Sequence, residues 1–268
     1  MLIFLIITAV VLFYFFAIMP RIWKKPDYSH LNGWYYAHRG LHDNQSEAPE
    51  NSMAAFQKAV TAGFGIELDV QLTKDRIPVV FHDETLKRVC DAPGKVRDYT
   101  YEELRQFCLY ESGEKIPLFA DFLKMIDGRV PLVIELKCYE NAARVCRIAD
   151  ELISKYKGDY CIESFHPLAV NWYRRNRPEV VRGQLSGNLA KPGKIENIVF
   201  LLVHYLIFNV LGRPDFIAYN HKNKNNISRI LCTKLYGALS VGWTIRSKEE
   251  LKRCEKDFEL FIFEGFLP

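Results

Sequence analysis

The sequence predicts an α/β protein: a (β/α)8 TIM barrel preceded by an N-terminal transmembrane helix. Three observations lead there. Short β-rich runs alternate with helix-like segments from Trp34 to the C-terminus. Ionisable residues gather at the ends of four successive β-rich runs. Leu2 to Met19 form an unbroken uncharged stretch.

The N-terminal stretch, LIFLIITAVVLFYFFAIM, is followed by Pro20, Arg21, Lys24 and Lys25. About 18 to 20 apolar residues suffice to cross a bilayer. Basic residues follow the run rather than precede it, and no small-residue cleavage site closes it, so it does not read as a leader peptide. Residues 1–21 are expected to be a single-pass anchor, with the remaining chain on the cytoplasmic side where the positive charges stay. Seven cysteines, odd in number and without a CxxC pair, agree with a reducing compartment. Residues 22–33 then form a linker, and residues 34–268 one barrel domain.

Within that domain the β-rich runs are Trp34–His38, Gly65–Gln71, Ile77–His82, Val130–Lys137, Asp159–Phe165, Val180–Leu185, Phe216–Tyr219, Leu239–Ile245 and Leu260–Glu264. Nine candidates for eight barrel places make one of them a minor or edge strand. Helices are punctuated as expected. Ser52 precedes an apolar-periodic segment that stops at Gly63. Thr100-x-x-Glu103 and Ser247-x-x-Glu250 are capping boxes, in which hydroxyl and carboxylate satisfy each other's helix-end donors.

The segment Ile195 to Gly212 takes the place of an outer barrel helix but lacks a polar face, since Ile198 to Leu211 carry only His204 and Asn209 as polar members. It is expected to pack against the N-terminal helix or to dip into a membrane surface. GNLAKPGKI, just before it, has the wrong glycine spacing for a phosphate-binding P-loop, and Ile195 stands where Ser or Thr is needed.

Composition excludes little else. With 36 Lys and Arg against 32 Asp and Glu, the net charge of +4 is too mild to indicate nucleic acid. The chemistry lies at the strand ends, where active sites of such barrels are built. His38 and Arg39 end the first run, and Glu67 and Asp69 lie on the second. His82 and Asp83 end the third, and Glu135 and Lys137 the fourth. Side chains at i and i+2 share a strand face, so each carboxylate pair points one way. Three carboxylates crowded together need a cation, and hard oxygen donors suit Ca²⁺ or Mg²⁺.

HRG, PENS, ELDV, FHDETLKR, IPLFADFL, IELK, ESFHP and GWTI, in that order, resemble the glycerophosphodiester phosphodiesterase family over nearly the whole barrel. That resemblance implies a barrel of the phospholipase C-like phosphodiesterase type. It implies metal-dependent hydrolysis of glycerophosphodiesters to glycerol 3-phosphate and an alcohol, through a cyclic phosphate. It assigns Glu67, Asp69 and Glu135 to a divalent metal, His38 and His82 to acid–base catalysis, and Arg39 and Lys137 to phosphate. Glu50, Phe165 and Trp243 fall to substrate binding, Trp243 as an aromatic wall. The last strand departs from the family pattern: FIFEGFLP places Glu264 where an aspartate is usual. A lysophospholipase D acting on lysophospholipids is the alternative within the enzyme class. A non-catalytic membrane-tethered binding module is the alternative outside it.

Overall fold

The computed structural model describes residues 1–188 and 197–268. Eight parallel strands close into a barrel: β1 (Tyr35–His38), β2 (Gly65–Leu72), β4 (Leu132–Leu136), β5 (Tyr160–Ser164), β6 (Arg182–Ser186), β7 (Phe216–Asn220), β8 (Leu239–Ile245) and β9 (Leu260–Phe263). Pairing of β1 with both β2 and β9 completes the ring. The ninth strand, β3 (Pro78–Val80), runs antiparallel to β2 outside it. It is the surplus strand that the sequence pattern anticipated.

Helices fill the crossovers. After α1 (Leu2–Ile18), α2 (Met53–Thr61) follows β1. Its N-cap Ser52 accepts from the Ala55 N–H, as the sequence signal required. Two single turns, α3 (Lys87–Cys90) and α4 (Tyr101–Leu104), and then α5 (Phe119–Ile126) follow β3. Helices α6 (Ala142–Ile153) and α7 (Pro167–Asn176) follow β4 and β5. Next come α8 (Asn197–His204) and α9 (Asn209–Gly212) after β6, α10 (Ile227–Ile230) after β7, and α11 (Lys248–Cys254) after β8. The rejected P-loop segment falls largely in residues 189–196, outside the described residues, as do the first two positions of the apolar run.

Two buried clusters show which strand face is which. Tyr36, Val133, Cys161, Leu185, Phe216, Val241 and Ile262 belong to one built on alternate strand positions and no α-helix, the pattern of a barrel interior. Phe216 fills this space so fully that a Cβ on Gly183 would collide with its ring. The second cluster joins the opposite strand faces, such as Leu68 and Ile134, to Phe56, Phe122, Val145 and Tyr173 of the surrounding helices. Continuing the interior face along each strand leads from Tyr36 to His38 and from Val133 to Glu135 and Lys137. It likewise leads from Cys161 to Glu163 and Phe165, from Val241 to Trp243 and from Ile262 to Glu264. The apolar interior is thus a floor, and the polar residues sit on it at the strand C-termini.

The expectation of a single-pass membrane protein does not hold. No helix among the described residues is long and apolar enough to cross a membrane. Helix α1 has 17 residues, about 26 Å at the α-helical rise, whereas a hydrocarbon core is about 30 Å thick. Its last turn is tied to the barrel instead. Ala17 and Ile18 are buried, and Asn209 Nδ2 donates to the Ile18 carbonyl at 2.8 Å. Arg213 Nη1 donates to the Met19 carbonyl at 2.6 Å, and Tyr236 Oη to that of Phe15 at 3.2 Å. The cytoplasmic placement of the barrel rested on that anchor and lapses with it. The apolar run that follows β6 is not one helix but two, and α9 packs on α1.

Candidate active site

His38 ends β1, and the chain turns sharply there. Arg39 takes a left-handed conformation at φ 56°, unusual for a side chain with a Cβ. That turn aims the Arg39 N–H at Glu67 Oε2, 3.0 Å away, and lets its guanidinium donate to Glu50 Oε1 at 2.8 Å. Arg39 Nε also stands 3.5 Å from Asp69 Oδ2. The motif PENS therefore serves the site twice, because Asn51 Nδ2 donates to Asp69 Oδ2 at 2.9 Å.

Register brings the carboxylates together. Asp69, Glu135 and Glu163 are lateral neighbours across β2, β4 and β5, and His38 is the neighbour of Glu67. Glu67, Asp69 and Glu135 each offer an oxygen, with these atoms all within 4.8 Å of one another. Lys137 Nζ donates to Glu135 Oε2 at 2.8 Å and lies 3.0 Å from Asp69 Oδ1. Burial and mutual repulsion raise Glu67 well above the ordinary carboxylate range. Burial likewise raises Glu135, with Asp69 adding to it and Lys137 opposing. Asp69 goes the other way: burial works against it, but Lys137, His82 and Arg39 hold it well below that range.

The two histidines have the same support. His82 Nδ1 bonds Asp83 Oδ1 at 2.6 Å. His38 Nδ1 bonds Glu264 Oε2, and Arg246 Nε holds the other Glu264 oxygen at 2.9 Å. A carboxylate on Nδ1 leaves Nε2 as the ring nitrogen available for chemistry; His38 Nε2 faces Glu67 Oε2 at 3.9 Å. Burial, then the charge of Arg39, pulls the His38 imidazole down to about 4 against the pull of Glu264. The Glu264 carboxyl falls to about 2, since the His38 bond and Arg246 outweigh its burial. Glu264 and His38 approach His42 closely enough to suggest a second metal cluster, but the Nδ1 bond already engages both.

His82 comes to the site differently from the sequence expectation. β3 stops at Val80, so His82 is not on a barrel strand but on the loop that leaves the antiparallel ribbon. That loop is pinned. Gln71 Nε2 donates to the Phe81 and Asp83 carbonyls at 2.7 and 2.9 Å. Tyr139 Oη donates to the His82 carbonyl at 3.0 Å. Arg88 forks between Asp83 and Glu50, with Nε to Asp83 Oδ2 at 2.7 Å and Nη2 to Glu50 Oε1 at 2.6 Å. Opposing the push of burial, Arg88 and Arg39 bring the Glu50 carboxyl down to about 2. Glu50 thus orders the two arginines.

All ten residues singled out from the sequence converge on this end of the barrel. Phe165 and Trp243 meet edge to face at 5.6 Å and line one cavity of about 220 Å³ with His38, Arg39, Glu67, His82, Glu135 and Glu163. The buried Trp243 Nε1 has no partner among the described residues. Sequence reasoning missed Asn51, Arg88 and Glu163. Glu163 is 2% exposed, Oε2 has no partner among the described residues, and burial with Glu67 and Glu135 raises it well above the usual range. The i, i+2 pairing with Phe165 was a usable signal for it. Arg88 offered none, because its contacts are not periodic.

A sequence profile of the glycerophosphoryl diester phosphodiesterase family matches residues 38–256. A glycerophosphodiester phosphodiesterase of Caldanaerobacter subterraneus subsp. tengcongensis is 29% identical over 235 residues, covering 82% of this chain and 88% of that one. One from Bacillus altitudinis is 35% identical over 157 residues, or 54% of this chain and 63% of that one. Among solved structures, an Oleispira antarctica phosphodiesterase in complex with the product sn-glycerol-3-phosphate gives a TM-score of 0.70 at 23% identity, over 87% of this chain and 93% of that one. A glycerophosphodiester phosphodiesterase from Thermotoga maritima gives 0.63 at 25% identity, over 86% and 94%. With the profile spanning the barrel from His38 through β8, the chain belongs to the glycerophosphoryl diester phosphodiesterase family and is a phosphodiesterase.

Proposed function

We propose that this protein hydrolyses glycerophosphodiesters to glycerol 3-phosphate and an alcohol, with His38 and His82 as the acid–base pair. One observation supports it above the others: two carboxylate-backed imidazoles, Arg39, Glu67, Glu135 and Glu163 line a single small cavity at the strand ends, with Lys137 and Asp69 packed beside Glu135. Arg39 binds phosphate oxygens as a fork and Lys137 as a point charge. One imidazole Nε2 takes the proton of the glycerol 2-hydroxyl as that oxygen attacks phosphorus, and the other protonates the departing alcohol. Water then opens the cyclic phosphate with the two roles exchanged. Trp243 and Phe165 wall the site, and Glu50 keeps Arg39 in place.

Glu67, Asp69 and Glu135 would hold a divalent cation, Ca²⁺ or Mg²⁺. The donor set fits, being all hard oxygen, and burial, with repulsion from Asp69 added, raises Glu67 and Glu135, a shift that a bound cation would offset. Bound there, it supplies charge neutralisation and makes a nearby hydroxyl more acidic.

The test strips the full chain with EDTA and follows glycerol 3-phosphate release from glycerophosphocholine as Ca²⁺ or Mg²⁺ is restored. Metal-dependent release that falls by about 10² or more in His38→Ala and in His82→Ala is the expected result. A double variant that kept full hydrolysis would overturn the assignment of the histidines.

A further inference from the structure

A second cavity adjoins the first and is unlike it. Its volume is about 550 Å³, and it lies between the ends of β4 and β5, the start of α7, and α8 with α9. Cys138, Leu168, Val203, Phe208 and Leu211 give it an apolar lining. Its polar members include Glu135 and Lys137, and Phe165 belongs to both cavities. The two spaces thus share Glu135 and Phe165 as a common wall, and Lys137 faces the larger one.

The apolar run after β6 accounts for it. Its two polar side chains are used elsewhere: His204 bonds Tyr219 Oη at 2.9 Å, and Asn209 holds the end of α1. The other residues from Ile198 to Leu211 are apolar or aromatic, and some of them face the cavity instead of packing into the core. Leu168 and Val199 at its rim are 52% and 55% exposed, so this apolar wall lies open to a ligand. The cavity's size lies in the range of pockets that take small organic ligands.

We propose that this cavity is a subsite for a hydrocarbon chain carried by the phosphodiester substrate, seated as the phosphate meets Lys137. The inference rests on the hydrolysis proposed above and specifies which members of the substrate class are preferred. The chain has two possible points of attachment, the leaving alcohol or the glycerol, and the chemistry recognised is the same.

Two substrate series separate these, both kept below micelle-forming concentrations and assayed on the full chain with divalent cation. One is glycerol phosphate esterified to methyl, butyl, octyl or dodecyl alcohol. The other is 1-acyl glycerophosphocholine of increasing acyl length. In at least one series kcat/KM is expected to rise by up to about fourfold per buried methylene and then level off. Val203→Trp, which fills the cavity, is expected to lower the long-chain value at least tenfold while sparing the methyl ester. Should that variant fail to fold, Leu168→Trp at the exposed rim makes the same test. A rise in the first series places the chain on the leaving group, and a rise in the second places it on glycerol. Flat profiles in both, with the methyl ester still hydrolysed, overturn the subsite and leave the function standing. Calorimetric binding of the dodecyl ester to EDTA-treated protein reads occupancy without turnover. Chain-dependent binding with no hydrolysis of any ester would keep the subsite and overturn the function; neither binding nor hydrolysis overturns both.

Discussion

His38 and His82 receive the same kind of support from different distances along the chain. Asp83 is the next residue after His82, whereas Glu264 lies 226 positions from His38 and is itself gripped by Arg246. The Glu264 carboxylate favours the imidazolium form of His38, against the burial and the Arg39 charge that lower it. In Glu264→Gln that favourable charge is gone, so the His38 pKa falls further. The limb of the pH–rate profile carried by His38 is expected to move to lower pH, with kcat down about 10- to 100-fold and KM little changed. An unmoved profile would reduce Glu264 to a structural contact. The Glu264 side chain thus reaches from the end of β9 to His38.

At the scale of elements, the barrel strands act as rails that deliver side chains by parity. An adjacent pair such as Glu135 and Lys137 needed only local alternation to be read as one group. Connections behave otherwise. The β3 segment has the composition of a barrel strand, but strand propensity carries no direction, and the run turns back on β2 as an antiparallel ribbon. Helix α1 is the other case. Its sequence carries only Thr8 and Tyr14 as polar members, yet Tyr14 Oη bonds Ser228 Oγ at 2.7 Å and its final turn is held by side chains from α9 and beyond. Replacing Asn209 with Ala removes the bond to the Ile18 carbonyl and is expected to cost about 1 kcal/mol. Urea unfolding should show a lowered midpoint, and hydrogen exchange should quicken at the end of α1. Equal protection in both proteins would mean that this bond contributes nothing to docking.

For the molecule as a whole, charge at the barrel mouth sets stability as well as chemistry. Burial, with the charge of Asp69 beside them, keeps Glu67 and Glu135 costly to ionise. A cation bound only by the folded state therefore raises stability, by about 2.7 kcal/mol at a hundredfold excess over Kd. The melting temperature is expected to climb with Ca²⁺ or Mg²⁺ and to fall back with EDTA. Glu135→Gln should flatten that response. An unchanged melting curve in wild type would remove the carboxylates from any cation site.

The sequence by itself determined the barrel, because strand and helix periodicities are local. It also determined the identity of the strand-end residues, because alternation assigns faces without reference to partners. Tertiary structure alone decided that Glu264 backs His38, that Arg88 bridges Asp83 and Glu50, and that Asn51 joins the carboxylate group. Those contacts join side chains from different strand ends and loops, which no local periodicity relates. Tertiary structure also decided the fate of the apolar segments, since hydropathy measures how much a helix prefers to leave water, not which surface receives it.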